Sequence, residues 1–409
     1  LGYRRNPYDK CIVMLPPDDS GDFINAGHAL IEVDDIFEGG DKKHRSQMQK
    51  FYDKYKCGKC KKLIDLGDEG TLISGIRVKQ HKDFTFTWHM DEYINNSLKL
   101  IDVPRGYLSK TTMIDEWVMS QVVSCNGKIG WLGGNGRPDL AAGHSIIAGQ
   151  YKDKSPQLIS DCNQCVKQAM ANQYHLKIWS IALDQIRYVL FVDSGFDQSG
   201  IRHQQGWFVC FTNKSLNDHL RAPVSICKWT SRKLPKKAGS PQLVETYAAS
   251  AGAADTNWVM CMFESTVYAD FDIQLQRPRH MPTPARYPTV LRTDRAEILN
   301  PRMSMLSDSK GLYDSLNNEL PQDDKKAAVE KPIIEAMLKR MHGRSRWIPH
   351  NENPADGLTK LRGAHMQPMM EMLKTGFYKL KPEETQLKER AEVKESTGCL
   401  LYTSDAADD

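Results

Sequence analysis

The stretch RYVLFVDSG (187–195) decides how the second half of the chain folds. Its apolar run ends at Asp193, which predicts a buried strand with an acid at the sheet edge, where a side chain can face a cleft. Two further strand-like stretches, GWFVCFTN (206–213) and VSICKWT (224–230), follow it and are separated by polar turns. Together they predict three adjacent strands of one sheet.

Helices and strands alternate after these three strands. An apolar stripe over residues 242–263 predicts a long helix. Beyond it the pattern predicts, in order, a strand at RMSMLSD (302–308), a helix at SKGLYDSL (309–316), a helix that starts at Pro332, a strand at RSRWIP (344–349) and a helix started by NENPADGLTK (351–360). The predicted fold class is therefore α/β (α+β), with a mixed five-stranded sheet and flanking helices.

The first half of the chain has a weaker pattern. In HALIEVDDIFEGG (28–40) a strand over 28–33 is predicted to return as a hairpin over 36–38. The segments that follow predict a helix at 41–55, strands at 71–80 and 83–90, a helix at 90–101, a Gly-rich turn leading into a helix at 130–149, and an irregular connection over 150–184. Residues 376–409 are predicted to be a charged tail, which from about residue 381 is either a solvated helix or disordered.

Composition sets broad limits on function. A length of 409 residues allows two or three domains, at about 100–200 residues each. No apolar run approaches the roughly 18 residues of a membrane span, so no membrane partner is expected. The net charge of +4 permits nucleic-acid binding without arguing for it. The first residue is Leu1, which predicts a fragment of a longer reading frame.

The cysteines predict free thiols. Two C-x-x-C pairs occur, Cys57 with Cys60 and Cys162 with Cys165. A structural zinc site brings its two pairs within about 15–20 residues, whereas these pairs lie far apart along the chain. No zinc is therefore expected.

Four acids of the second half stand at suggestive places: Asp193 at a strand end, Glu245 in the first turn of the long helix, Asp308 at the next strand end, and Asp356 before the last helix. Taken singly, each is explained as a turn former or as a complement to a helix dipole. Four acids packed together would repel one another unless cations lay between them. Hydrolysis of a phosphodiester uses two Mg²⁺ ions about 3.5–4 Å apart, bound by carboxylate oxygens.

These acids and their surroundings, FVDSGF, LVETYA, LSDSKGLYD and NPADGLTK, resemble the four-acid set of ribonuclease H. The phrases ICKWTSRK and AD-x-x-TK are similar to the copia-type retrotransposon version, over residues 185–375. The resemblance implies two Mg²⁺ ions and cleavage of the RNA strand of RNA–DNA hybrids. Asp193 would bind both ions, Asp356 the ion on the nucleophile side, and Glu245 and Asp308 the ion on the leaving-group side. Glu245 would also sense the RNA 2′-hydroxyl, and His350 would assist proton transfer or product release.

Two further features bear on this resemblance. The basic segment KWTSRKLPKK (228–237) offers nucleic-acid contacts, although a solvated basic loop explains it equally well; its cations are Lys228, Arg232, Lys233, Lys236 and Lys237. The gap between Glu245 and Asp308 is longer than in the family, so residues 265–300 are interpreted as an inserted loop.

The first half resembles the end of a copia-type reverse transcriptase, through NPYDKCIV (6–13), EVDDIFEGG (32–40), GIRVKQ (75–80) and GWLGGNGRPDLA (130–141). Asp34 and Asp35 match the family's paired metal-binding acids, with Glu32 where an aromatic residue usually stands. No residue among 1–27 fits the third acid, so this chain alone is not expected to polymerise. The resemblance then implies that the upstream part of the polyprotein is a partner. It also implies a location in virus-like particles in the cytoplasm, or in the nucleus.

The resulting division has four segments: 1–149 from reverse transcriptase, 150–184 as connection, 185–375 as ribonuclease H, and 376–409 as tail. One alternative function is an inactive retroelement remnant that at most binds nucleic acid. Another is an α/β protein whose acids only form turns. An integrase or transposase is disfavoured, because its last acid is a Glu on a helix, whereas here the last acid is Asp356.

Overall fold

The computed structural model describes residues 1–18, 21–33, 35–55, 57–58, 60–104, 106–110, 112–196, 203–281, 301–317 and 324–396. Over the described residues the chain forms two compact units. The first comprises Leu1–Lys62 and Asp255–Pro288, and the second comprises Leu63–Ala254 and Thr289–Asp409. The four-segment division made from the sequence stays a prediction.

Strands and helices alternate along both units. The strands are β1 Arg4–Arg5, β2 Ile12–Leu15, β3 Gly27–Glu32, β4 Asp35–Gly40, β5 Thr71–Ile73, β6 Ile76–Gln80, β7 Phe86–His89, β8 Leu176–Ile178, β9 Ile186–Gly195, β10 Gln204–Asn213, β11 Arg221–Pro223, β12 Ser225–Lys233, β13 Phe271–Asp272, β14 Arg277–Pro278, β15 Met303–Ser307, β16 Gly343–Trp347 and β17 Phe377–Lys379. The helices are α1 Lys42–Tyr55, α2 Asp91–Ser97, α3 Tyr107–Lys110, α4 Glu116–Asn135, α5 Ala141–Gly149, α6 Gln157–Ala171, α7 Pro241–Val267, α8 Lys310–Asn317, α9 Lys325–Arg340, α10 Met366–Thr375 and α11 Glu383–Ser396. Within the described part of the chain, no helix is both long and apolar enough to cross a bilayer.

The central sheet of the second unit has the strand order β12-β10-β9-β15-β16. Strand β10 is antiparallel to both β9 and β12, whereas β15 is parallel to β9 and to β16. The middle strand β9 is buried from Tyr188 to Asp193, as expected for a strand covered on both faces. The prediction of a mixed five-stranded sheet with flanking helices is confirmed.

Alternate residues of β9 pack on opposite faces of this sheet. Val189 and Phe191 join the apolar cluster that includes Met369 of α10. On the other face, a Cβ at Gly252 of α7 would lie 3.0 Å from Leu190 Cδ1, so the helix contacts the sheet closely. The acid at the end of β9 is therefore held by a strand packed on both sides.

Helix α4 corrects the predicted Gly-rich turn at the start of 130–149. Asp115 caps this helix by accepting a hydrogen bond from the Val118 amide at 2.8 Å, and the helix then continues through Gly130 to Asn135. Its buried side chains recur every three or four residues: Val118, Val122, Cys125, Ile129 and Leu132. A Cβ at Gly133 would lie 3.1 Å from the Cα of Ala141, so this glycine reflects close packing of α4 on α5.

Three other predictions are corrected. Residues 71–80 form two strands, because Ser74 and Gly75 both have positive φ and turn the chain. The predicted connection over 150–184 contains the well-ordered helix α6, whose buried face includes Ile159, Cys162 and Val166. Helix α9 starts seven residues before Pro332, because Asp324 caps it by accepting hydrogen bonds from the amides of Lys326 and Ala327.

The predicted tail differs from the structure in its first residues, whereas the helical alternative agrees with it from Glu383. Strand β17 pairs with β11, and Leu380 is fully buried in the core. Helix α11 follows, with Gln386 buried, and residues 397–409 lie outside the described part. Packing by a few apolar residues thus outweighs the high charge of this segment.

The first unit contains the sheet β1-β2-β3-β4, with β3 and β4 forming the predicted hairpin. The predicted helix at 41–55 is α1, which begins one residue later. The predicted inserted loop at 265–300 starts with the last residues of α7 and the short hairpin β13–β14. Residues 282–300 of that loop lie outside the described residues.

The segment GRPD (136–139) forms a buried ion pair in the second unit. The Arg137 guanidinium donates to both carboxylate oxygens of Asp139, at 2.9 and 2.8 Å, and the Tyr174 hydroxyl donates to Asp139 at 2.6 Å. Both charged residues are almost inaccessible to solvent. The bidentate geometry and the third donor satisfy the charges, and Arg137 also donates to the Ala169 carbonyl of α6 at 2.9 Å, which ties α6 to the segment before α5.

Replacing Asp139 by Asn should lower the free energy of unfolding by about 3–5 kcal/mol, because Arg137 would keep a buried charge without a counter-ion. Urea denaturation of the full chain measures this loss. Glu116→Gln is the matched control, since it removes a carboxylate from an exposed pair with Lys154 and should cost at most about 1 kcal/mol. Equal losses for the two variants would contradict the structural role given to Asp139.

Candidate active site

The structure brings together the four acids singled out from the sequence. Asp193 lies on β9, Glu245 in the second turn of α7 rather than the predicted first turn, Asp308 directly after β15, and Asp356 in a 3₁₀ helix over Pro354–Leu358. The carboxyl of Asp193 is under the electrostatic influence of the other three acids. Four separate elements of the second unit therefore place their acids in one cluster.

Gly206 allows the 3₁₀ helix to approach the sheet. This residue of β10 is the register partner of Asp193, and a Cβ there would lie 2.6 Å from Leu358 Cβ. The Thr359 hydroxyl, which follows the 3₁₀ helix, donates a hydrogen bond to the Asp193 carboxylate. The missing side chain on β10 is thus what lets Asp356 lie beside the end of β9.

Asn353 fixes the third acid relative to the strands. Its fully buried side-chain amide donates to the Val192 carbonyl and to the Asp308 carboxylate, both at 3.1 Å. Its carbonyl oxygen accepts from the Ala355 amide and so caps the 3₁₀ helix. The Trp347 indole donates to the Asp308 backbone carbonyl at 2.8 Å. One side chain therefore connects β9, Asp308 and the segment that carries Asp356.

Two cationic side chains border the cluster. His350 Nδ1 lies 2.9 Å from a carboxylate oxygen of Asp308 and 2.9 Å from one of Asp356. The hydrogen bond to Asp308 and the proximity of Asp356 raise the pKa of His350 to about 10, so the ring is an imidazolium at neutral pH. Lys360 Nζ lies 3.6 Å from the other oxygen of Asp356.

Burial raises the pKa of Asp193 well above its ordinary range, and the negative charges of Asp356, Asp308 and Glu245 raise it further. Burial likewise raises the pKa of Glu245, with Asp308 adding to the effect and a hydrogen bond from Ser194 opposing it. These directions are those expected for acids crowded together out of water.

The cluster contains more carboxylate oxygens than the neighbouring donors satisfy. Among the described residues, Glu245 Oε2 is buried without a hydrogen-bond donor, and the buried oxygens of Asp356 meet only the ionic contacts of His350 and Lys360. Four carboxyl groups therefore face only two cationic side chains. Buried carboxylate oxygens in excess are the ligand set that a hard divalent cation takes. The residues present therefore fit a site for Mg²⁺, and Asp308, His350 and Asp356 place their ligand atoms within 4.8 Å of one another.

The basic residues singled out from the sequence do not act as one group. Lys236 forms an ion pair with Glu330 at 3.0 Å and lies over the Tyr247 ring. Arg232 lies over the Trp207 ring on β12, the strand that also carries Lys228 and ends at Lys233. Exposed side chains are found at Arg232, Lys233, Lys236 and Lys237.

The paired acids of the first half lie in the first unit. Asp35 is an exposed residue at the start of β4, opposite Glu32, while Asp34 lies outside the described residues. The C-x-x-C pairs lie in separate units: Cys57 and Cys60 are exposed in the first, and Cys162 and Cys165 are buried in α6 of the second.

Sequence reasoning missed the residues that hold the acids in place. Asn353 had a usable signal, since Asn directly before Pro is a common start for a helical turn. Lys360 also had a usable signal, because it stands four residues after Asp356, the spacing of an ion pair along a helical turn. Thr359 and Ser194 also stand close to a predicted acid in the sequence, but their hydrogen bonds to Asp193 and Glu245 cross between elements. No periodicity along the chain reports such contacts.

Comparisons with known proteins give structural likenesses only. No protein-family model and no curated protein matches the chain at a significant level. Ribonuclease H1 from the halophilic archaeon Halobacterium salinarum aligns with 41% of this chain and 90% of its own, at 10% identity and a TM-score of 0.26. The N-terminal ribonuclease H domain of a Mycobacterium tuberculosis protein, fused to maltose-binding protein, aligns with 42% of this chain and 91% of its own, at 12% identity and a TM-score of 0.26.

Without divalent cations, the thermal midpoint of the chain should fall as pH rises from about 5 to about 9. Asp193 and Glu245 have raised pKa values, so between their ordinary and raised values the folded state binds more protons than the unfolded state. His350 acts in the same direction between 6.5 and about 10. Thermal melts in EDTA across this range measure the slope.

The control for this slope is Asp193→Asn, which removes one raised pKa and should give a shallower decline. Added Mg²⁺ should also flatten the slope of the parent chain, because it stabilises the ionised acids. A parent midpoint that rises with pH, or slopes that are equal for parent and variant, would contradict the assigned charge crowding.

Proposed function

We propose that this chain is part of a copia-type retrotransposon polyprotein whose second unit hydrolyses the RNA strand of RNA–DNA hybrids with Mg²⁺. The observation that carries the proposal is the convergence of Asp193, Glu245, Asp308 and Asp356, with Glu245 Oε2 buried and without a donor. The central sheet, three antiparallel strands extended by two parallel ones, supports the same assignment.

The four acids would hold two Mg²⁺ ions, which supply Lewis acidity at the scissile phosphate and lower the pKa of the attacking water. Asp193, at the end of buried strand β9, would contact both ions. Asp356 would contact the ion on the nucleophile side. Glu245 and Asp308 would serve the leaving-group side. Asn353 and Thr359 act as positioning residues, since they hold Asp308 and Asp193 through hydrogen bonds.

His350 is suited to handle a proton beside the scissile bond. Its side chain is half exposed, and its Nδ1 is held between Asp308 and Asp356. As an imidazolium it can donate a proton to the departing 3′-oxygen or neutralise the product phosphate. Lys360 adds a second positive charge on the Asp356 side, where it favours an anionic substrate.

Recognition of a hybrid requires one strand with 2′-hydroxyl groups. A carboxylate such as Glu245, with one oxygen lacking a donor, can accept a hydrogen bond from that group, which distinguishes RNA from DNA. The exposed cations Lys233 and Lys237, at and after the end of β12, supply contacts to backbone phosphates.

The polymerase part of the proposal rests on the sequence resemblance alone. The hairpin β3–β4 has the form expected of a palm hairpin, with Asp35 exposed at its turn. Among the described residues, Asp35 belongs to no group of three side chains that could share a metal ion. We therefore assign catalysis by this chain to the ribonuclease H site, and expect no primer extension.

Asp193→Asn should reduce cleavage of the RNA strand in a labelled RNA–DNA hybrid by at least about a hundredfold, because it removes a preorganised charge from the reacting centre. The full chain is assayed with Mg²⁺, and the products are resolved by length. Asp314→Asn is the matched control, since it changes an exposed carboxylate of α8 that pairs with Lys310, and should leave the rate unchanged.

The parent chain decides between the two functions weighed from the sequence. Cleavage of the RNA strand that depends on Mg²⁺ and on Asp193 supports the enzyme. An intact RNA strand at every Mg²⁺ concentration, with hybrid still bound, would leave the inactive remnant as the function.

Replacing Lys233 and Lys237 together by Ala should weaken hybrid binding and reduce the slope of log K against log salt by about 2, at about 0.9 per phosphate contact. Fluorescence anisotropy in EDTA at several salt concentrations measures this without cleavage. Lys236→Ala is the comparison, because its charge is already paired with Glu330 and its loss should change the slope less. Equal slopes for the parent chain and the double variant would exclude the β12 end as the phosphate contact.

A further inference from the structure

A second group of potential metal ligands lies on a different sheet of the second unit. His89 ends strand β7, Asp91 begins helix α2, and His175 directly precedes strand β8. Asp91 Oδ2 lies 2.9 Å from His89 Nδ1 and 3.2 Å from His175 Nε2. The three ligand atoms all lie within 4.8 Å of one another. None of these residues belongs to the candidate active site.

The register of the sheet explains why the two histidines meet. Trp88 of β7 pairs with Leu176 of β8 in an antiparallel ladder, which places His89 opposite His175. The rings stack with centroids 4.0 Å apart and an interplanar angle of 14°. After His89 the chain continues directly into α2, which places Asp91 at the same edge of the sheet. Asp91 and His175 are 84 residues apart in the sequence.

The separations match those of ligands around one cation. Two donors bound to a transition metal at about 2.0–2.2 Å, with angles between right-angled and tetrahedral, lie about 3.0–3.5 Å apart. The two distances from Asp91 Oδ2 are already close to this range. The half-exposed ring of His175 would have to rotate out of the stack with His89, so that both nitrogen lone pairs point at one ion.

The ligand set selects the class of metal. Two imidazoles and one carboxylate suit Zn²⁺, Co²⁺ and Ni²⁺, whereas Mg²⁺ prefers oxygen ligands alone. Arg77, the register partner of His89 on β6, is engaged by Glu92, which offsets part of its positive charge beside this site. The partial exposure of all three ligands leaves room for water to complete the coordination.

We propose that His89, Asp91 and His175 form a binding site for one divalent transition-metal ion, with Zn²⁺ as the expected occupant. The ion would join the β7–β8 edge of the sheet to helix α2, and so add to the β7–β8 ladder, the ring stack and the two ring-to-carboxylate contacts. Its role is structural, and it stabilises the folded chain by mass action.

The test uses the full chain with Asp308→Asn and Asp356→Asn, so that the candidate active site does not bind the probe. Those two changes remove buried like charges, and circular dichroism checks that the fold is retained. Co²⁺ is titrated and followed by its visible ligand-field bands and by calorimetry. We expect one equivalent to bind, without the sulfur charge-transfer bands of a cysteine site, and we expect Zn²⁺ but not excess Mg²⁺ to displace it.

His175→Gln and Asp91→Asn should each weaken Co²⁺ binding by at least about tenfold, the lower limit seen when even supporting groups of a metal site are changed. His81→Gln is the matched control, because His81 lies next to the same sheet and bonds Thr87 instead. Cys57→Ser with Cys60→Ser controls for the exposed thiols. Neither control should change the binding.

A second readout separates loss of the site from loss of the fold. Zn²⁺ should raise the thermal midpoint of the background chain but not that of its His175→Gln derivative, while the two midpoints in EDTA should agree. Binding that survives both His175→Gln and Asp91→Asn, binding that disappears with the two thiols, or no binding of Co²⁺ at all would each overturn the proposal and leave a metal-free His–Asp–His contact.

Discussion

The repulsion among four buried carboxylates is the constraint on which the second unit depends. Asp193 and Glu245 have raised pKa values because they are removed from water and because the other acids face them. Every element around the cluster works against this repulsion. Strand β9 is packed on both faces, Asn353 donates to Asp308, Thr359 donates to Asp193, and His350 and Lys360 contribute positive charge. A scaffold this rigid holds unfavourable charges in place until a cation or a substrate compensates them.

The buried pair of Arg137 and Asp139 shows the opposite solution in the same unit. There one cation meets one anion in bidentate geometry, and Tyr174 satisfies a further lone pair. The two charges balance, so the pair presents no unsatisfied charge that a ligand could bind. The sequence resemblance marked this segment as part of a polymerase, and the structure gives it a packing role between α4, α5 and α6. Unbalanced charge, rather than burial alone, is what distinguishes the carboxylate cluster as a candidate site.

The sequence predicted the strands β9, β10, β12, β15 and β16 well, because each is a short apolar run bounded by turn residues. It also selected the acids that the fold brings together, since their places at strand and helix ends report where side chains meet. It failed where packing outweighs local preference: α4 continues through four glycines, and α9 contains Pro332 in its interior. Contacts between distant segments, such as Thr359 with Asp193 or His89 with His175, have no signature along the chain.

The two proposed cation sites differ in the way their ligands are held, and this difference follows from their chemistry. The carboxylate cluster offers oxygens only, buried and in excess, on elements fixed by the central sheet, as Mg²⁺ and a phosphodiester would require. The His89–Asp91–His175 group offers two nitrogens and one oxygen at a partly exposed sheet edge, with one carboxylate between two imidazoles. A cation there would join three ligands rather than relieve a repulsion among carboxylates. The first arrangement is therefore expected to serve catalysis and the second to serve stability.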